Sequence, residues 1–460
     1  MKENNMKKGD IIQVKIDSFR LPASGYGTAP DGSRVSVKFG IPGQTVSARI
    51  VKKRGKRLEG KIEEVVESPA DALAPVCDSE LRCGGCVFQT VPYEHELDYK
   101  EEYILKLLRD AVPEDLGYEG ITASPKTSGY RNKMEYSFGD NCPGGPLMLG
   151  MHESGSFYNI VDTTGCLLTD PDFDRIRSFV TNHFRELGTD YFHKRTHRGL
   201  LRHLVVRKGE KTGEILVNLV TTSDGGFEPE SFVTGLQALD LDGQITGIMR
   251  TVNDREADAV IPERTELLYG TPEIHDSILG LDFEISPFSF FQVNTSGAEA
   301  LYSAVRDFAG DEKRGTIYDL YCGTGTIAQL LSEKADKVIG IELISEAVDA
   351  ARANAKRNGI SNCEFIAGDV LDQAHGLAGD AELIILDPPR DGIHPKAIFR
   401  ILDLAPESFI YVSCKPESLA RDLPFFTARG YEVKRTRIVD MFPRTGHVET
   451  VVLMSRVEGK

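Results

Sequence analysis

One cysteine stands where a cysteine can react. In Tyr411-Val412-Ser413-Cys414-Lys415-Pro416, an apolar run ends just before Cys414, and Pro416 is placed to open a helix. A thiolate at such a turn is a competent nucleophile; a free Cys ionises at about 8.5, and a cation such as Lys415 or a helix N-terminus lowers that value. An isolated Cys also packs as a small apolar residue, so position alone leaves both readings open. A second group of thiols is clustered. Cys77, Cys83 and Cys86 are separated by five and two residues on a Gly-containing loop that can wrap a metal centre, with Cys166 as the expected fourth ligand and Cys142 as the alternative. Zinc and an iron–sulfur cluster both accept four thiolates, and the spacing does not separate them.

A third constellation has the parts of a nucleotide site. Asp319-Leu320-Tyr321-Cys322-Gly323-Thr324-Gly325-Thr326 ends an apolar run in a turn whose two Gly residues let a ligand approach the backbone. Nineteen positions after Gly323, Glu342 closes the next apolar run, where a carboxylate accepts from both ribose hydroxyls of a nucleoside. Asp369 follows the third run and faces an adenine amino group in this reading. Ala328 occupies the third-glycine position of a dinucleotide fingerprint, which by itself decides nothing.

These residues need a parallel sheet with its strand ends gathered on one side. From Gly315 onward strands alternate with helices, the pattern of a doubly wound α/β domain. Thr316–Leu320, Val338–Ile341, Cys363–Ile366, Leu383–Leu386 and Phe409–Val412 are the expected strands, and Ser345–Asn358 the clearest helix. Upstream, Ile11–Ile16, Val35–Lys38 and Thr45–Ile50 alternate apolar and polar residues between Gly and Pro, which predicts a small antiparallel β-barrel. Three domains are expected: a barrel over 1–67, a central α+β domain over 68–285, and a Rossmann-like α/β catalytic domain over 286–460.

The net charge of −16 argues against a polyanionic partner until its distribution is counted. Residues 1–66 hold 14 Lys and Arg against 7 Asp and Glu, a local +7 that leaves −23 for the remainder. Its densest part is Lys52-Lys53-Arg54-Gly55-Lys56-Arg57, which is either a nucleic-acid contact or a solvated turn. No apolar run approaches the ~20 residues of a membrane helix, and Met1–Asp10 has no apolar segment, so a cytoplasmic protein with no membrane partner is expected, acting as a monomer.

Asp387-Pro388-Pro389-Arg390 after the fourth strand places a carboxylate and a rigid turn beside the cofactor, as in many nucleic-acid methyltransferases, and favours S-adenosylmethionine over NAD. Together with Cys414, Ser289-Phe290-Phe291-Gln292-Val293-Asn294 and Gly446-His447-Val448-Glu449-Thr450-Val451, this turn closely resembles the uridine carbon-5 RNA methyltransferases. The resemblance covers the last third of the chain, in the family's order. It implies Cys414 as nucleophile and Glu449 as general base. It assigns Gln292, Tyr321, Glu342 and Asp387 to the methyl donor, with Phe290 near the target base. Residues 1–67, including Ser24-Gly25-Tyr26-Gly27-Thr28-Ala29, resemble the TRAM domain of RNA-modifying enzymes. Family members with this cysteine loop carry a [4Fe–4S] cluster, so the resemblance implies one at Cys77, Cys83, Cys86 and Cys166. It also implies RNA as substrate, 23S ribosomal RNA in preference to transfer RNA. A cytosine carbon-5 enzyme is disfavoured, because its motif after the fourth strand carries a Cys where Pro388-Pro389-Arg390 stands. An amino-group methyltransferase is disfavoured because Arg390 replaces a stacking aromatic. A non-catalytic RNA-binding protein is the remaining rival.

Overall fold

The computed structural model describes residues 6–457, apart from 80, 114, 258–259, 375–376 and 378–380. The strands Ile11–Arg20, Ser24–Thr28, Arg34–Lys38, Thr45–Arg54 and Arg57–Glu67 close into a barrel in the order first, second, third, fifth, fourth. The alternating apolar residues point inward: Val14, Ile16, Val35, Val37, Val46, Ala48, Ile50 and Leu58 are all at most 1% exposed. Each large one contributes about 1.5–3 kcal/mol by leaving water. The basic run Lys52–Arg57 is a hairpin turn, in which Lys52 pairs with Glu59 and Lys53 donates to the Met6 carbonyl. Leu21 and Ile41 belong to a different cluster from the barrel's own core: they pack with Phe88, Leu108 and Tyr411.

The central region is a seven-stranded sheet running Arg264–Gly270, Gln244–Val252, Glu214–Thr221, Leu201–Lys208, Lys133–Gly139, Met148–His152 and Ile160–Val161. Helices Pro171–Glu186 and Pro229–Gln237 add Phe173, Ile176, Phe184 and Phe232 to its core. The first of them starts at Asp170, whose carboxylate accepts from the Asp172 amide, with Pro171 in the first turn.

The catalytic sheet has eight strands, ordered Cys363–Ala367, Ala335–Glu342, Arg314–Leu320, Leu383–Leu386, Ser408–Ser413, Glu449–Arg456, Tyr431–Val439 and Tyr118–Thr122. The first five are parallel neighbours, and Glu449–Arg456 is antiparallel to both strands beside it. The chain order reverses at Arg314–Leu320, the switch point at which such sheets bind ligands. The central strands Leu383–Leu386 and Ser408–Ser413 are buried along their whole length, as strands covered on both faces are. One part of the assembly departs from the sequence reading. Tyr118–Thr122, in the segment assigned to the central domain, pairs parallel with Tyr431–Val439 and completes the far edge of the catalytic sheet. The preceding helix, Tyr93–Ala111, buries Ile104, Leu105 and Leu108 against that sheet's core. Its amphipathic pattern fixes which face is buried but not against which sheet. Among the described residues no helix is long and apolar enough to cross a membrane.

Candidate active site

A cavity of about 1510 Å³ opens at the carboxyl ends of the parallel strands. Gln292, Tyr321, Glu342, Asp369, Asp387, Cys414 and Glu449 all line it, as does Phe290, which is 65% exposed at its mouth. In the first turn Tyr321 has φ of 67°, a strained backbone for a residue with a side chain, and its ring borders the cavity. Gly323, at φ 55°, has open space where a side chain would be, as close ligand approach requires. Gly325 is small for another reason: a Cβ there would lie 2.5 Å from the Phe365 ring. Glu342 accepts from the amides of Gly323 at 3.1 Å and Ile344 at 3.0 Å, which fixes its carboxylate at the cavity wall. Gln292 donates to the Tyr302 hydroxyl at 3.1 Å.

Cys414 and Glu449 come together at the end of a strand pair. Ser413 pairs with Thr450 across the antiparallel strands Ser408–Ser413 and Glu449–Arg456. The pairing ends there: Cys414 follows Ser413 at the end of its strand and Glu449 precedes Thr450 on the other, so both stand at one end of this strand pair and both line the cavity. Cys414 is half-buried, and burial, then the Glu449 and Asp387 charges, push its thiol up to about 11, with Arg390 opposing. This corrects the expectation for the thiol: the cation acting on it is Arg390, not Lys415, and the net shift is upward. Burial and the Asp387 charge push Glu449 up to about 8, again against Arg390. Burial alone raises Asp387 to about 7. Burial, then Arg390, lower His447 to about 4, which keeps its ring neutral at neutral pH.

Glu449 follows a loop, residues 440–448, that is tied on every side. Lys100, completely buried, donates to Asp440 at 2.7 Å and to Glu96 at 2.7 Å. Asn294 caps the helix Thr295–Phe308 through the Gly297 amide and donates to the Met441 carbonyl at 2.6 Å. The Tyr130 hydroxyl donates to the Pro443 carbonyl at 2.9 Å. A Cβ on Gly446 would lie 1.6 Å from the Pro22 carbonyl oxygen, so the barrel's first turn packs directly on the strip that leads to His447.

Beside this site, Cys77, Cys83, Cys86 and Cys166 line a second cavity of about 450 Å³, which shares Arg131 and Val293 with the first. Cys142 is exposed and lines neither cavity. Burial, and then the neighbouring sulfurs, push the Cys86 thiol up; Cys83 is raised chiefly by burial.

Residues 277–457 match the model of the tRNA (uracil-5-)-methyltransferase family. An uncharacterised RNA methyltransferase of Clostridium acetobutylicum is 47% identical over 451 residues, covering 98% of this chain and 99% of its own. The chain belongs to the RNA uracil-5-methyltransferase family. A further relative from Caldanaerobacter subterraneus, also an uncharacterised RNA methyltransferase, is 45% identical over 98% of this chain and 100% of its own. A solved structure of the Pyrococcus abyssi tRNA (uracil-54, C5)-methyltransferase, in complex with S-adenosyl-L-homocysteine, is 25% identical, with a TM-score of 0.76 over 96% of this chain and 100% of that one.

Within this methyltransferase the sequence reading passed over Asp319. It is 1% exposed, one carboxylate oxygen accepts from the Ala328 amide at 2.9 Å, and the other is buried at the cavity with no partner. Burial, then Asp387, push it up to about 8. Its place two residues before Tyr321 on a strand end was the available signal. Arg390 was read only as a residue that is not aromatic, whereas it is the cation that opposes the burial shifts of both Cys414 and Glu449.

Proposed function

We propose that this enzyme methylates carbon 5 of a uridine in RNA, with S-adenosylmethionine as donor, Cys414 as nucleophile and Glu449 as general base. The observation that carries the reading is that Cys414 and Glu449, which adjoin the Ser413–Thr450 pair at one end of neighbouring strands, line one cavity with Glu342 and Asp387. Carbon 5 of uracil is a poor nucleophile until the ring is activated. The Cys414 thiol gives up its proton to solvent, the thiolate bonds to carbon 6, the displaced electron pair moves onto the carbon 4 oxygen, and the resulting enolate is nucleophilic at carbon 5. S-adenosylmethionine supplies an electrophilic methyl group on a sulfonium. Glu449 then takes the proton from carbon 5, the ring double bond re-forms, and the Cys414 sulfur leaves. A base near 8 suits this task at neutral pH.

The cavity fits the donor on two counts. The buried, unpartnered oxygen of Asp319 and the raised Asp387 are acidic groups out of water, a setting that favours a cationic ligand. Glu342 is held at the strand end where a ribose is bound in such sheets. The target carbon is inaccessible in a stacked helix, so the uridine is extruded or lies in a loop. The barrel, with its basic balance, serves RNA binding as a TRAM domain in this reading.

Cys77, Cys83, Cys86 and Cys166 fit a [4Fe–4S] cluster. Their side chains share one cavity from which Cys142 is absent. Four thiolates on one cavity suit zinc or an iron–sulfur cluster alike, and the resemblance of the cysteine loop is what favours the cluster. No step above needs an electron from it.

The RNA we propose is 23S ribosomal RNA, on the resemblance of the cysteine loop and barrel; transfer RNA is the second reading, favoured by the likeness to the Pyrococcus abyssi enzyme. Mass spectrometric mapping of 5-methyluridine in a strain lacking the gene tests both. Loss from ribosomal RNA supports the first, loss from transfer RNA moves the target to the second, and no loss from either defeats the activity.

A further inference from the structure

The central domain carries a basic patch that the reaction does not use. Tyr191-Phe192-His193-Lys194-Arg195-Thr196-His197-Arg198 contains three cations, two His and no carboxylate, in a chain whose net charge is −16. It folds as a tight turn: the His193 amide donates to the Arg198 carbonyl at 2.8 Å and the His197 amide to the His193 carbonyl at 2.8 Å, with His197 at φ 54°. The turn presents Arg195, His197 and Arg198 to solvent.

Two aromatic rings lie against it. Phe157 and Tyr158 are 60% and 49% exposed, although each could bury a large apolar surface. Lys194 donates to the Phe157 carbonyl at 2.9 Å and stands 4.1 Å from the centre of its ring, and the Arg195 guanidinium lies 4.9 Å from that of Tyr158. The two rings meet edge to face at 5.4 Å. Their loop is anchored to the cysteine loop and to the barrel: the Ser154 amide donates to the Arg82 carbonyl at 2.6 Å, and Lys38 donates to the Ser154 hydroxyl at 2.6 Å. The nearby carboxylate Glu153 is engaged by Asn159 and Arg82.

Exposed rings interleaved with cations are what a single-stranded nucleic acid recognises: bases stack on the rings while phosphates meet the cations. We propose that Phe157, Tyr158, Lys194, Arg195 and Arg198 form a second RNA-binding surface, for a single-stranded segment that flanks the target uridine. The inference rests on the RNA reading of the catalytic site. An extruded uridine leaves its neighbours unpaired, and the loop carrying Phe157 and Tyr158 adjoins the barrel and the cysteine loop through Ser154, which meets Lys38 and Arg82.

The test uses the full-length protein and a short fluorescently labelled polyadenylate, which offers no uridine to the catalytic cavity. Phe157→Ala combined with Tyr158→Ala should weaken binding at least tenfold at constant salt, since each stacked base contributes about 1–3 kcal/mol. Arg195→Glu with Arg198→Glu should weaken it and lower the slope of log K against log salt by roughly 1.4, or about 0.7 for each lost phosphate contact on a single strand. Circular dichroism and thermal midpoints matching the parent show that the fold is kept. On a methylatable RNA these variants should raise KM and leave kcat within about twofold. Unchanged polyadenylate binding in both folded variants overturns the proposal, and reduced binding to polyglutamate alone would reassign the patch to an acidic protein partner. Failure of methylation on every RNA, with polyadenylate binding still lost in the variants, would defeat the catalytic reading and leave this surface standing.

Discussion

The Val87 amide donates to the Arg444 carbonyl at 2.7 Å, one residue beyond the proposed metal ligand Cys86 and five residues before Glu449. The Phe88 amide reaches the same oxygen at 3.1 Å, and Arg444 itself sits at φ 67°. The cysteine loop therefore braces the loop that leads to Glu449, the proposed general base. The proposed metal centre, by folding the first loop, would act on catalysis through position.

Replacing Cys77, Cys83, Cys86 or Cys166 singly with Ser should remove most of the bound iron and its visible absorbance. It should also lower the unfolding midpoint by roughly 5–10 °C, the shift expected for a few kcal/mol. Cys142→Ser should change neither. Retained iron in Cys166→Ser, with loss in Cys142→Ser, would reverse the assignment of the fourth ligand.

Three acids in the cavity, Asp319, Asp387 and Glu449, hold protons more tightly in the folded enzyme than in the unfolded chain. Such groups add stability that is fully present below about pH 4, where unfolded carboxylates titrate, and is lost as pH rises through about 7 to 8. The ligand-free enzyme should thus melt at a lower temperature at pH 8.5 than at pH 6. Glu449→Gln should recover on the order of 1–3 kcal/mol of that loss at pH 8.5. The methylation rate should move the other way, rising with pH through about 8 as Glu449 and then Cys414 lose protons. In Glu449→Gln the rate should fall about 10²–10⁴-fold and its step near pH 8 should vanish. A flat melting temperature across that range would contradict the proposed burial of these acids.

Glu342→Gln keeps the size of the side chain but removes the charge offered to the donor's ribose hydroxyls. Calorimetric titration with S-adenosylmethionine should show affinity reduced roughly 10–100-fold, the range for charge-assisted hydrogen bonds. Unaltered affinity would place the donor elsewhere.

Gly446→Ala should damage both stability and activity, because its Cβ would meet the Pro22 backbone, which has no flexible end to yield. A drop in kcat of at least tenfold with a lowered midpoint is expected. A further substitution in the barrel core, Val35→Ala, should lower stability without the same loss of kcat, because Val35 packs only within the barrel.

Much of this architecture is written locally. The run at Leu383–Leu386 is apolar because both faces are covered, so its strand was readable to the residue. Cys414 and Glu449 were readable only as motif residues, since their meeting depends on a strand pair closed by residues 37 positions apart, Ser413 and Thr450. The Tyr118–Thr122 strand was illegible as part of the catalytic sheet: its partner lies more than 300 residues downstream. The thiol shift was misread because sequence shows Lys415 beside Cys414 but not Asp387 and Glu449, which folding brings to it.

The central claim is a transient bond between one sulfur and a pyrimidine. Incubating the enzyme with S-adenosylmethionine and substrate RNA containing 5-fluorouridine tests it, because fluorine at carbon 5 cannot be removed as a proton and the adduct cannot resolve. The account predicts a covalent protein–RNA complex, stable to denaturation, that requires the donor and maps by mass spectrometry to Cys414. A Cys414→Ala enzyme that still methylates RNA, or an adduct mapped to another residue, would contradict it.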